Sequence, residues 1–147
     1  MRQNNGQIRE VSLGAGQYFG NGFHCAEAVA RSVIEGLGED GTSAAAHATA
    51  FGGGFGKSFD EACGALSGAL IAIGHFHGRS EPGADWEVPA RMGAMVRDAF
   101  LRRWGTTHCR TLRDRFGEER QMDECRRIVE ETVLDLLDVL EDEKAGR

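Results

Sequence analysis

The chain has 147 residues, 41% of them hydrophobic and 27% charged, with a formal net charge of −6. Such a composition suits one soluble globular domain and excludes a disordered chain, and no apolar run reaches the length of a transmembrane helix. The opening stretch MRQNNGQIRE lacks the apolar centre of a secretory signal, so the expected location is the cytoplasm, where the four cysteines would serve as thiols or metal ligands.

Strand signals are nearly absent, and apolar residues recur at helical spacing along most of the chain. Ile8, Val11, Ala15, Tyr18 and Phe19 define a first helical face, closed by the Gly-Asn-Gly turn at residues 20–22. A second helix starts near Cys25, carries Val29, Val33 and Leu37 four apart, and stops at Gly36 and Gly38. Thr42 or Ser43 is placed to cap a short alanine-rich helix over residues 44–51. Gly52, Gly53, Gly54 and Gly56 then release the backbone from helical dihedrals. Asp60 and Glu61, acids suited to a helix N-terminus, lead into a narrow helix at Cys63 with Leu66, Leu70 and Ile73 as its stripe. Its Gly64, Ala65, Gly68, Ala69 and Ala72 let other helices approach closely, so it is expected to be the central one.

Residues 78–89 read as the longest loop, with Asp85 a candidate cap and Pro89 tolerable in a first helical turn. Val88, Met92, Met95, Val96, Ala99 and Phe100 mark a fifth helix that ends at Trp104 and Gly105. Thr106 or Thr107 should cap a short helix holding Cys109, Leu112 and Phe116, which Gly117 stops. Asp123 precedes a long amphipathic helix through Cys125, Val129, Val133, Leu136, Leu137 and Leu140. With no internal repeat and no linker, the expectation is an all-α single domain over residues 1–147. It is a compact bundle of six or seven helices around the small-residue helix.

Cys25, Cys63, Cys109 and Cys125 contain no C-x-x-C pair, so spacing alone identifies no zinc ribbon, thioredoxin-like motif or haem attachment. Each falls in the first turn of a predicted helix and on its apolar stripe. Helix N-termini offer unpaired N–H groups and partial positive charge, which stabilise thiolates. Four such termini converging would make a pocket for a thiolate-ligated metal or cluster. A single buried cysteine is more simply a small hydrophobe, and only the repetition of the placement argues for more.

The segments FHCAEAV, FGGGFG, CGALSG, FLRRWGTTHCRTL and DECRRIV together resemble the C_GCAxxG_C_C family, redox-active proteins with four characteristic cysteines. Cys63, Gly64, Ala65 and Gly68 match its central C-G-A-x-x-G motif, and Cys25, Cys109 and Cys125 match its other cysteines in order. The resemblance runs from about residue 18 to about residue 129. It implies a redox role, and a related domain in certain haem proteins is associated with an iron–sulfur cluster. The expected ligands are therefore Cys25, Cys63, Cys109 and Cys125, with Gly52, Gly53, Gly54 and Gly64 as the positions that let backbone pass close to a bound group. This chain has no C-x-x-C-H and should not share the haem.

Other constellations are weaker. FGGGFGKS fails as a phosphate-binding loop, because its required first glycine is Phe51, no strand precedes it, and Asp60 and Glu61 would repel phosphate. His24 and His108 each adjoin a cysteine and suit surface or capping roles, since neighbours do not share a helical face. His75 and His77 could begin a weak metal site but lack a third ligand, and His47 stands alone. Ser67 has no evident His/Asp partner, so hydrolase chemistry has no support. Residues 97–127 hold nine arginines against six acids without interleaved aromatics, and residues 128–143 hold seven acids and no base, which argues against nucleic acid. The acidic last helix and Met92/Met95 suit a homodimer or partner interface, or equally a packed core with a solvated face.

The leading expectation is a redox protein whose four cysteines ligate an iron–sulfur cluster for electron transfer to a redox partner protein of open identity. The alternatives are a metal-free thiol–disulfide oxidoreductase with Cys63 as its reactive thiol, and a structural zinc site or helical interaction domain. Whether the chain is an oxidoreductase or an electron carrier stays open at this level.

Overall fold

The computed structural model describes residues 5–146; the first four residues of the stretch read for a secretory signal lie outside them. Seven α-helices and no strand are found among the described residues. They are α1 (Asn5–Gly20), α2 (Cys25–Gly36), α3 (Thr42–Ala48), α4 (Gly64–His77), α5 (Glu87–Trp104), α6 (Cys109–Phe116) and α7 (Gln121–Lys144), with a 3₁₀ turn at Thr49–Phe51. None of them is long and apolar enough to cross a membrane.

The centre is a pair of helices, α2 with α4. Around it α1 and α3 lie on α2, α5 lies on α4, and α7 backs α1, α2, α4 and α5. The expected small-residue helix is therefore central but shares that place with α2, whose Ala26, Ala28, Val29, Ala30, Val33 and Ile34 are fully buried. The stripe on α4 also turns differently. Its buried positions are Gly64, Ala65, Leu66, Ser67, Gly68, Ala69, Ala72 and Ile73, while Leu70 is 45% exposed. Small residues occupy the contact face because the neighbouring backbone leaves no room. A Cβ at Gly68 would overlap the Ala26 carbonyl, and one at Gly64 would overlap the Cys25 sulfur.

Helix ends depart from expectation where side chains compete for the same backbone N–H. α3 begins at Thr42, where Asp40 accepts from both the Thr42 N–H (3.0 Å) and its hydroxyl (2.7 Å), so Thr42 is not the cap. The expected helix over residues 44–51 tightens into the 3₁₀ turn after Ala48. Asp85 does accept from the Glu87 N–H (2.9 Å) at the start of α5. α6 is capped by His108, and Thr106 instead accepts the His108 N–H at 3.1 Å. α7 begins at Gln121, so Cys125 lies in its second turn, not its first.

The contrast between Gly68 and Gly14 gives a direct test of this packing. Gly14 lies inside α1 with nothing near its missing Cβ. Gly14→Ala should stabilise the protein by about 0.5–1 kcal/mol through helix propensity. Gly68→Ala should destabilise it by about 1–3 kcal/mol through overpacking. Denaturant midpoints of the two variants should move in opposite directions.

Candidate functional site

Cys25 is the first residue of α2, and Cys109 is the first of α6. In both cases the histidine before it, His24 or His108, is the N-cap, which bears out a capping role for these residues. Cys63 is itself the N-cap of α4. Three of the four thiols thus sit at helix starts, where N–H groups are unpaired.

Two devices bring these starts together. The first is the contact of α2 with α4 across Gly64, which sets the Cys25 sulfur directly against the α4 start. The second is a short backbone clamp between the segment before α4 and the segment before α6. The Cys63 N–H donates to the Thr107 carbonyl (2.7 Å), the Cys109 N–H to Glu61 (2.9 Å) and the Arg110 N–H to Phe59 (2.7 Å). Ala62 and His108 form an isolated antiparallel bridge there. The clamp fixes Cys63 and Cys109 relative to each other although they lie on different helices.

The glycine loop covers the pair. Gly53, Gly54, Phe55, Gly56 and Lys57 are five successive left-handed residues, with φ of 65°, 62°, 68°, 63° and 60°, and Phe59 adds a sixth at 62°. For Phe55, Lys57 and Phe59 this conformation costs roughly 1–2 kcal/mol each. The turn is held by donation from Gly56 N–H to the Ala50 carbonyl (2.8 Å) and from Phe59 N–H to Gly53 (2.9 Å). The Gly53 N–H is left free to donate to the Cys25 sulfur. Gly54 lies so close to Cys109 that a Cβ there would come within 2.7 Å of the Cys109 Cβ, and Gly52 lies similarly against His24. All four glycines singled out from the sequence, Gly52, Gly53, Gly54 and Gly64, therefore border a cysteine or its cap.

The thiols are all free, and their environments differ. Cys25 is pulled down to about 6, first by the Cys63 thiol donating to its sulfur and then by N–H groups of Gly53, Ala26 and Cys25, against the effect of burial. Cys63, buried, is driven well above the usual thiol range because its proton is held by Cys25, with burial and the Cys25 charge adding to this. Cys109 is pushed up to about 11 by burial and the Cys25 charge, opposed by Arg113 and Arg110. Cys125 is raised by burial, while the Gln121 amide, donating at 3.2 Å, opposes the shift. In this pair Cys25 is the thiol drawn toward the thiolate and Cys63 the one held protonated, the reverse of the direction expected for Cys63. Cys63 is the donor of the pair, since the helix start that holds it is closed off from solvent.

The charge on Cys25 reaches Cys63, Cys109 and Cys125, so the four expected sulfurs share one neighbourhood. Even so, among the described residues no three of His, Cys, Asp and Glu stand in a group that could hold a metal ion. His75 is engaged with Glu39 at 2.8 Å, and His47 is exposed. A cavity of about 440 Å³ between Ile8, Leu37, Phe76, Leu137 and Leu140 has no cysteine in its lining.

Glu27 is a site residue that sequence reasoning missed. Buried in α2, it accepts the His24 N–H (2.9 Å) and the Thr49 hydroxyl (3.1 Å), locking the helix start that carries Cys25. The signal was present as H-x-x-E, a capping-box spacing with histidine in place of serine or threonine.

These environments predict distinct thiol reactivities. Alkylation of Cys25 should rise through a midpoint near pH 6, while Cys109 should wait for about pH 11. Cys63→Ala should move the Cys25 midpoint upward. One common midpoint near the ordinary value of 9.0 would contradict the arrangement. Between about pH 6 and pH 9 the unfolded chain keeps the Cys25 proton and the folded one does not. Stability relative to Cys25→Ala should therefore increase with pH across that window.

Comparison with curated proteins and with solved structures gives no match. A family model described as "Putative redox-active protein (C_GCAxxG_C_C)" matches residues 23–138. That span takes in all four cysteines, the glycine loop and the α2–α4 contact. The chain belongs to the C_GCAxxG_C_C family.

Proposed function

We propose that the chain performs thiol–disulfide exchange through Cys25 and Cys63. The observation that carries this reading is the Cys25 sulfur set against the start of α4 beside Cys63, a pairing that draws the Cys25 pKa down and holds the proton on Cys63. A thiolate is the attacking species in such chemistry, and a neighbouring thiol resolves the product. The Cys25 thiolate attacks one sulfur of a substrate disulfide, forming a mixed disulfide and expelling the other substrate sulfur as a thiolate. Cys63 then gives up its proton and attacks Cys25, releasing the second substrate thiolate. The substrate gains two electrons, and the protein holds a Cys25–Cys63 disulfide.

A second reading, a four-thiolate iron–sulfur centre for electron transfer, is favoured by the electrostatic contact of Cys25 with all three other thiols. Thiolates are the usual cluster ligands. In the geometry described no three ligands are gathered, so the sulfurs would have to draw inward before a cluster or a zinc ion could be held. No step of the exchange chemistry depends on a metal.

The two readings separate on one variant. With a neutral small disulfide at pH 7, wild-type protein should lose two hydrogens and show a Cys25–Cys63 linkage by peptide mapping. Cys63→Ser should instead stop at one mixed disulfide on Cys25. Cys25→Ser should react at least about tenfold more slowly, as its thiolate is the nucleophile. Wild-type rates retained in Cys25→Ser would rule out the exchange reading. Visible absorbance and bound iron after anaerobic reconstitution with iron and sulfide, lost in Cys63→Ser, would favour the cluster.

A further inference from the structure

We infer that Arg113 is a recognition residue for the substrate, selecting disulfides that carry a carboxylate near their sulfurs; this rests on the exchange reading above. Arg113 is half-buried on α6, one turn beyond Cys109. Its guanidinium lies 4.1 Å above the centre of the Phe59 ring, which fixes it against the left-handed loop. From there its charge acts on both Cys109 and Cys125.

Its neighbours are engaged differently. Arg110 is neutralised by Asp60 at 2.7 Å and also donates to the Ser58 carbonyl at 2.7 Å. Arg127 lies 3.9 Å from Glu124, and Arg115 donates to the Trp104 carbonyl at 2.7 Å. Among the described residues Arg113 has the Phe59 ring and no carboxylate partner. Phe59 also packs on Gly54, whose missing Cβ would meet the Cys109 Cβ, so the guanidinium stands over the part of the loop that lies against Cys109. A half-buried cation with no carboxylate beside it lacks its counter-anion, and a planar guanidinium held by stacking is suited to bind a carboxylate. An anionic substrate would supply that charge. Its disulfide would be held within the cysteine neighbourhood, with one sulfur presented to Cys25.

The test compares three small disulfides of similar size: anionic dithiodiglycolate, neutral bis(2-hydroxyethyl) disulfide and cationic cystamine. The quantity read is the ratio of the anionic to the neutral rate of Cys25–Cys63 oxidation within each protein. Wild type should favour the anionic reagent on the order of fivefold, and the preference should shrink as added salt screens it. Arg113→Met should bring the ratio to about one, and Arg113→Lys should keep part of it, having the charge without the planar fork. Arg102→Met, at an exposed arginine of α5, should leave the ratio as in wild type. A ratio that survives in Arg113→Met, or that falls equally in Arg102→Met, overturns the assignment. Oxidation by none of the three reagents, the neutral one included, overturns it together with the exchange reading. Oxidation by the neutral reagent without charge preference overturns the role of Arg113 alone.

Discussion

The close approach of α2 to α4 governs the rest of this molecule. Two helices can touch at backbone distance only where one of them lacks side chains, and Gly64, Ala65 and Gly68 supply that face. The contact places the start of α2 beside the start of α4, so the orphan N–H groups of both helices open on the same space. Cys25 and Cys63 occupy those starts and therefore meet. Two thiolates so close cannot both be charged, and the pair resolves into one thiolate and one thiol. Cys25 takes the charge because it has more N–H donors and lies nearer to solvent. Cys63 keeps the proton because it is enclosed.

The glycine loop supplies what helices cannot. A helix start turns its N–H groups along its own axis, whereas the sulfur of Cys25 also needs a donor from the side. The left-handed turn brings the Gly53 N–H to it as a further donor. Glycines absorb most of the unfavourable dihedrals, but Phe55, Lys57 and Phe59 do not, and their strain persists only because the surroundings hold the turn. Those surroundings are specific: the backbone clamp to α6, the Arg110 pairing with Asp60, and the Arg113 guanidinium over Phe59. Loop, clamp and arginines thus form one unit with the thiol pair, and the family match takes in every part of it.

Much of this was legible in the sequence by itself. Apolar residues at helical spacing, with Gly38, Gly105 and Gly117 as punctuation, determined an all-α bundle whose helices lie close to where they are found. Small residues at positions 64, 65, 68, 69 and 72 marked a helix that others pack against, and the cysteines were legible as residues of helix starts. These properties depend on nearest neighbours along the chain, which is why spacing and propensity reveal them. Cys125 was misplaced by a turn because Asp123 reads as a residue that precedes the helix, whereas α7 already begins at Gln121 with an exposed Met122 in its first turn.

What only the tertiary structure decided is which thiol carries the charge and what surrounds it. Cys63 looked the more reactive because Gly64 follows it, but the space beside that glycine is taken by the Cys25 sulfur. The N–H of Gly53 at the Cys25 sulfur, the shared space of all four sulfurs and the uncompensated Arg113 arise between segments distant in sequence. Burial, hydrogen bonding and charge at a sulfur are sums over neighbours in space, and here those neighbours come from α2, α4, α6, α7 and the glycine loop. The order of residues along the chain sets which groups are available, and the packing of α2 on α4 sets which of them meet.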